Sequence, residues 1–411
     1  MITENKKWFP IQSDNACLLK WAWSSLYLWT GTSSSCHRVQ NVPVDNIENF
    51  HNTPNVISDR ESMLQNKWPG RGCEHCRDQE VFSNFSDRKH WLSNSNNQKY
   101  VPIELYEHPK KTIVNPTMVE IYFNNKCNLK CLYCGPFLSS AWALENEQHG
   151  IKDNSVYINN ESYKEKLVEF YKWMEKNYAN LREFHILGGE PLIQQETFDC
   201  IDWMIDHPNM HLDVEIFSNM QIKPSLFKKQ MEKIKKLVKV CNTVEITASI
   251  DCWGAESEYI RSGLDLNTFT ENMEHMLYEC PEIIPTMNWS VSALSIHTTP
   301  ELIKKVIHWN QNCKGKKIAI NYNKVIDPHI LDPHNFPKET YIDKIKEIQE
   351  LNKKIFQSQD YTNYVDAIFK EILDTPANYK NIEKLKIFLN NMDNRRNTNW
   401  REIFPWLEEI K

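Results

Sequence analysis

Three cysteines in the run Lys126-Cys127-Asn128-Leu129-Lys130-Cys131-Leu132-Tyr133-Cys134 constrain this chain more than anything else in it. The spacing Cys-x3-Cys-x2-Cys brings three thiolates to one point and leaves a fourth position empty. Iron–sulfur clusters normally take four Cys ligands, so three suit a cluster with one iron open to another ligand. A zinc loop or ordinary buried thiols are the plainer readings, although zinc normally wants a fourth protein ligand close by. The loop follows the β-branched and aromatic run Met118-Val119-Glu120-Ile121-Tyr122-Phe123, which reads as a buried strand. Barrel and α/β enzymes place their chemistry on loops at the carboxyl ends of strands.

Strand patterns at 118–124, 183–188, 212–218, 244–250, 288–295 and 317–323 alternate with amphipathic helices. Leu167, Tyr171 and Met174 form one apolar helical stripe, and Phe269, Met273 and Leu277 another. The alternation is that of a parallel α/β fold. Residues 137–160, with Ser139, Ser140, Trp142 and His149, form a long connection that reads as a lid or a surface loop. Asp327-Pro328, Asp332-Pro333 and Pro337 mark an irregular crossing, after which helical patterns at 338–357, 361–374 and 379–393 form a C-terminal cap. The expected division is 1–110, 111–326 and 327–411.

A second cysteine group lies near the N-terminus: Cys17, Cys36, Cys73 and Cys76. Four thiols, two of them as Cys-x2-Cys, can close around a [4Fe–4S] cluster with no open iron, or around Zn²⁺. Cys200, Cys241, Cys252, Cys280 and Cys313 have no ligand spacing and read as small buried residues. Twelve cysteines with no apolar signal segment at Met1–Trp8 point to metal or redox chemistry rather than disulfides, and to the cytoplasm. No stretch approaches the roughly 20 apolar residues of a membrane span. A net charge of −6 gives no reason to expect nucleic acid.

Only ten glycines occur in the chain, so the pair in Gly188-Gly189-Glu190-Pro191 marks a place where backbone must come close to something. A carboxylate beside it can pair with an ammonium group. Together with the three-Cys loop, in which Tyr133 supplies an aromatic residue before the last Cys, this tetrapeptide resembles the signatures of the radical S-adenosylmethionine (SAM) superfamily. The resemblance implies a partial (βα)6 TIM-like barrel and a catalytic [4Fe–4S] cluster on Cys127, Cys131 and Cys134. In that family the open iron binds SAM, and reductive cleavage gives a 5′-deoxyadenosyl radical that abstracts a substrate hydrogen. It implies that Gly188, Gly189 and Glu190 hold the SAM amino group and that Ser218 or Asn219 contacts its ribose. Ser249, in Ser249-Ile250-Asp251, is similar to a recurrent family strand end, and Arg261 is a partner for the SAM carboxylate or an acidic substrate. A polar strand end or a helix cap explains Ser218, Asn219, Ser249 and Arg261 equally well.

The N-terminal context resembles the auxiliary-cluster modules called SPASM and twitch. Two departures stand out: Lys20 occupies the family's Pro position, and the module precedes the barrel. The stretch Phe388–Arg396 also looks like that of twitch-containing radical SAM proteins with this order. The resemblance implies a second, auxiliary [4Fe–4S] cluster near the barrel mouth and a reductant such as flavodoxin or ferredoxin. It implies a peptide or protein side chain as substrate, with a sugar, nucleotide or amino acid as the alternative. Trp142, His149, Tyr322, Asn323 and His329 are candidates to line the opening. A zinc-stabilised α/β binding protein is the rival from another class, and it leaves the three-Cys loop and Gly-Gly-Glu-Pro unexplained.

Overall fold

The structure is a computed structural model that describes residues 8–83, 86–152, 161–325, 327–355 and 359–410. Eleven strands occur among them: β1 Trp23–Tyr27, β2 Thr32–Ser34, β3 Val42–Pro43, β4 Met118–Tyr122, β5 Lys130–Cys131, β6 Glu183–Leu187, β7 Asn209–Ser218, β8 Cys241–Ser249, β9 Arg261–Ser262, β10 Ile284–Val291 and β11 Ala319–Lys324. Nine form one sheet in the order β11-β10-β8-β7-β6-β4-β1-β2-β3, while β5 and β9 form a separate ladder.

The six expected strands are β4, β6, β7, β8, β10 and β11. They pair in parallel and in chain order. The largest shift in bounds is at β10, which starts at Ile284 rather than 288. Helices such as Glu161–Asn177, Pro224–Leu237 and Leu266–Glu279 connect successive strands. Val119, Ile121, Phe184, Ile186, Val214, Ile216, Val244 and Ile246 bury one face of the sheet together with helical Phe170, Met174, Met204, Phe227, Ile234 and Phe269. The C-terminal helices add Ile345, Ile348, Leu385 and Leu389 to the same core.

The alternate positions give the sheet a polar second face. His185 Nε2 lies 3.5 Å from both Glu183 and Glu215, and Nδ1 lies 4.0 Å from Glu120. Burial works against the imidazolium, yet these carboxylates hold its pKa well above the usual value. Lys99 Nζ reaches Asp213 Oδ2 at 3.1 Å, Tyr100 donates to Glu183, and the Trp23 ring sits edge-on to His185 at 5.4 Å. N-terminal residues therefore satisfy part of this polar face.

The expected boundary at residue 110 does not divide the sheet. β1 pairs in parallel with β4 along its whole length, from Trp23↔Met118 to Tyr27↔Tyr122, and β2 returns antiparallel to β1. What the N-terminal segment owns is a second apolar cluster of Phe9, Leu19, Trp21, Met63, Leu92 and Leu105, which meets the sheet at Trp23 and Met118. Arg60, fully buried, ties that segment together. Its guanidinium donates to Lys20 O at 2.8 Å, Asn52 Oδ1 at 2.8 Å and Thr112 O at 2.6 Å.

Candidate functional site

The cysteine loop begins where β4 ends, and its backbone is fixed at nearly every step. Asn124 Oδ1 accepts from Lys126 N at 2.9 Å, and Asn125 Nδ2 donates to Pro136 O at 2.9 Å. Ser140 Oγ accepts from Cys127 N at 3.1 Å, Ser139 Oγ donates to Leu129 O at 2.7 Å, and Trp142 Nε1 donates to Cys131 O at 2.8 Å. Cys131 lies in β5, whose partner in register is Arg261 of β9.

The Gly-Gly turn packs on this loop. Gly189 has φ +56°, and a Cβ there would stand 2.2 Å from Lys126 O; Gly188 has φ +89° and packs against Tyr122. The close approach that the sequence pointed to is therefore to the cysteine loop's own backbone. Glu190 N donates to Lys126 O at 2.8 Å, and Gln194 Nε2 donates to Gly188 O at 2.6 Å. Both bonds hold the turn against the loop.

Glu190 is 1% exposed. Its Oε1 accepts from Ser218 Oγ at 2.9 Å and Leu192 N at 3.1 Å, and its Oε2 accepts from Asn219 N at 2.5 Å. Burial raises its pKa to about 7 against these donors. The Ser218 hydroxyl also accepts from Met220 N at 2.9 Å. Ser218 thus holds Glu190. Asn219 Nδ2 donates to Asn128 Oδ1 at 2.9 Å and lies 3.9 Å from Cys127 Sγ.

Arg261 likewise has a partner of its own. Its Nε and Nη2 fork onto Asp251 at 3.0 and 2.8 Å, and the Tyr133 hydroxyl donates to the same carboxylate at 2.8 and 3.0 Å. The guanidinium lies over the Tyr133 ring, 5.6 Å from its centroid. An expected anion-binding arginine is thus engaged by an internal carboxylate, a bidentate arrangement for which guanidinium is well suited. Its charge still lowers the pKa of Cys131 and Cys134, although burial dominates and raises both.

These groups converge on a cavity of about 280 Å³. Its walls include Cys127, Cys131, Tyr133 and Cys134 from the loop, Gly188, Gly189 and Glu190 from the turn, and Ser218, Asn219, Ser249 and Arg261. All eleven residues singled out near the three-Cys loop thus share one cavity. Tyr122, Leu187 and Phe217 supply apolar wall, and Asn288 and Ser290 of β10 add polar groups that sequence reasoning missed. The sequence pattern starts this strand at 288, whereas β10 runs Ile284–Val291, so it placed both residues at the strand's start rather than in its second half.

The candidates for the opening fare differently. Trp142 is buried beneath the cysteine loop, and Tyr322 is buried with its hydroxyl on Asn352 Oδ1 at 3.2 Å. His149 and His329 are exposed and do not wall this cavity. Asn323 is exposed and donates to Asn288, which does. The helix Ser140–Gln148 occupies the start of the long connection; its stretch 153–160 lies outside the described residues.

The four N-terminal cysteines also converge. Burial pushes the Cys17 thiol up to about 12, with Cys36, Cys73 and Cys76 each adding to the rise. Cys36 is pushed up to about 11 by burial, and Cys76 and Cys73 add to it while Lys20 opposes it. Gly72, at φ +110°, would put a Cβ 2.1 Å from Arg38 O, so it seats the Cys73–Ser83 helix against the turn that carries Cys36. Lys20 is buried beside this group, with Nζ 3.0 Å from Asp59 and 2.9 Å from Ser35 Oγ. Lys20 is in the family's Pro position and supplies a buried cation there.

The expected position near the mouth is not where this group lies. Cys17 precedes the helix Leu18–Ala22 that enters β1 at its first residue, whereas Cys127 follows the last residue of β4. Because β1 and β4 are parallel, the two groups sit toward opposite ends of this strand pair, Cys17 before the start of β1 and Cys127 after the end of β4.

Both donor sets suit a thiolate-loving group. Buried thiols resist ionising unless a cationic centre compensates them. Among the described residues no three His, Cys, Asp or Glu close tightly enough to cage a single metal ion. A four-iron cube is wider than one ion and takes its thiolates from further apart. All twelve cysteines are free of disulfides, and among the described residues no helix is long and apolar enough to cross a membrane.

No family model matches the chain, and no curated protein matches it. Among solved structures it is similar to Streptococcus suis SuiB at 14% identity and a TM-score of 0.40. With SuiB bound to S-adenosylmethionine the match covers 86% of this chain and 70% of that one. With SuiB bound to precursor peptide SuiA it covers 83% and 68%. So distant a likeness carries no argument about this chain's chemistry.

Proposed function

We propose that the chain is a radical SAM enzyme with a partial-barrel architecture. The observation that carries the reading is the single cavity walled by all three loop thiols, the Gly188–Glu190 turn, Ser218, Asn219, Ser249 and Arg261. Cys127, Cys131 and Cys134 would hold a [4Fe–4S] cluster with one iron lacking a protein thiolate, and Glu190 lines the same cavity as these thiols. Those groups, when bound, supply one-electron cleavage of SAM and the hydrogen abstraction that follows.

The chain's own residues do the rest. Glu190, held by Ser218, Leu192 and Asn219, presents a carboxylate whose charge is unfavourable until a cation arrives, which suits it to a ligand ammonium. Gly188 and Gly189 let the turn lie flat on the loop, so that the carboxylate and the thiols keep a fixed spacing. Tyr133, Asp251 and Arg261 lock the loop's far side and leave a cation next to Cys131. Tyr122, Leu187 and Phe217 exclude water from the reacting centre.

Cys17, Cys36, Cys73 and Cys76 would hold an auxiliary [4Fe–4S] cluster toward the start of β1, at the other end of the strand pair from the cysteine loop. The substrate is a peptide or protein side chain, in keeping with the auxiliary-cluster module, and flavodoxin or ferredoxin supplies the electron in the cytoplasm. A small-molecule substrate is the competing outcome.

Anaerobic reconstitution tests the reading. About eight irons per chain and dithionite-dependent release of 5′-deoxyadenosine from SAM are expected. A colourless zinc protein that leaves SAM intact would instead be the zinc-stabilised binding protein.

A further inference from the structure

The last turn of the helix Tyr379–Arg396 lies against the cysteine loop's support, 251 residues away in sequence. Arg396 Nε and Nη2 each reach a carboxylate oxygen of Glu145 at 3.1 Å, and both side chains are about 95% buried, being 5% and 4% exposed. The same carboxylate accepts from Lys130 Nζ at 2.6 Å, and Lys130 precedes Cys131 in β5. The Arg396 guanidinium also lies over the Trp142 ring, 4.7 Å from its centroid. The Trp142 indole in turn donates to Cys131 O. Arg396 Nη1 is buried with no acceptor among the described residues, which is tolerable where a guanidinium covers an aromatic face.

Two further contacts fix the same helix end. Arg395 Nη1 donates to Asn146 Oδ1 at 3.2 Å, and Tyr259 OH donates to Asp393 Oδ1 at 2.8 Å. Tyr259 adjoins Ile260, whose carbonyl accepts from Leu132 N at 2.8 Å. The C-terminal helix thus grips both sides of the segment that carries Cys131.

We propose that Arg396 is a positioning residue, holding Cys131 at its ligand position through Trp142 on one side and the Glu145–Lys130 pair on the other. The C-terminal extension is then part of the cysteine site's frame. The role assigned to Cys131 rests on the radical SAM reading, but the geometric claim does not. The pair is long-range and buried, and guanidinium alone can both fork onto a carboxylate and stack on an indole.

The test is made on the full-length apo protein, with iodoacetamide as probe and mass spectrometry reading each cysteine separately. Arg396→Ala, Arg396→Lys and Trp142→Phe should each raise the alkylation rate of Cys131, by roughly tenfold for the alanine variant, because the loop opens locally. Cys200, buried beneath other elements, should keep its rate. Lysine keeps the charge but loses the fork, and phenylalanine keeps a ring but loses the donor, so both should fall between wild type and Arg396→Ala. A Cys131 rate unchanged in Trp142→Phe and Arg396→Lys overturns the proposal. So does a rise shared equally by Cys200, which would mean general loosening. Because neither iron nor SAM is present, a protein that later fails to cleave SAM would sink the functional reading and leave this result standing.

Discussion

The two cysteine groups are built alike and finished differently. In each, a glycine with positive φ seats one element on a loop carbonyl: Gly189 on Lys126 O and Gly72 on Arg38 O. Each keeps a buried cation paired to a buried aspartate, Arg261 with Asp251 and Lys20 with Asp59. Burial raises the thiols of both groups. The loop group has three thiols and opens on a cavity, whereas the N-terminal group has four and packs against the apolar cluster around Trp21 and Met63. The same frame can therefore open on a cavity or pack closed against an apolar core.

Cysteine replacement breaks the comparison most sharply. Cys127→Ala, Cys131→Ala or Cys134→Ala should abolish 5′-deoxyadenosine formation, read by chromatography. The double change Cys73→Ala, Cys76→Ala should lower iron content by about half while some SAM cleavage remains. Equal loss of cleavage from both would mean that the two sites do not divide the work.

The glycines come next. Gly189→Ala and Gly72→Ala both force a Cβ into a carbonyl at positive φ, at a cost of about 3 kcal/mol or more. Each should weaken iron retention at its own site only, read as iron per chain beside a melting curve. Arg261→Ala leaves Asp251 buried without its cation, so a loss of about 3–5 kcal/mol is expected in denaturant unfolding.

The smallest effect is on pH. With its pKa raised to about 7, Glu190 is increasingly protonated below that pH, so SAM affinity should fall several-fold between pH 8 and pH 6. Glu190→Gln should bind weakly at every pH. For stability the sign is opposite: the folded state holds the proton more tightly than an unfolded glutamate does, so this group's contribution declines as pH rises from about 4.5 to about 7. Glu190→Gln turns an amide NH2 onto the buried N–H of Leu192 or Asn219, so it should unfold at lower denaturant than wild type at pH 6, and the gap should narrow as pH rises to 8. A flat binding profile would mean that Glu190 is not the ammonium partner.

Much of the site was legible along the chain. Cys127, Cys131 and Cys134 are close in sequence, and Gly188-Gly189-Glu190 ends the next strand, so spacing alone announced them. The partners of these groups were not. Nothing near Arg261 in sequence says that Asp251, rather than a ligand, receives it, and Ser218 gives no local sign that its hydroxyl serves Glu190. Trp142 and Tyr322 looked like rim residues because aromatic side chains suit both rims and cores, and burial decided for the core.

The sequence by itself determined the alternation of strands and helices, the two thiol sets and the Gly-Gly-Glu turn, because each depends on residues within one element or one loop. Only the tertiary structure decided that β1 joins the sheet beside β4, that the two thiol groups lie toward opposite ends of that strand pair, and that Arg396 reaches the support of Cys131. Strand neighbours and buried ion pairs are set by which surfaces meet, and no local pattern encodes a meeting across 251 residues.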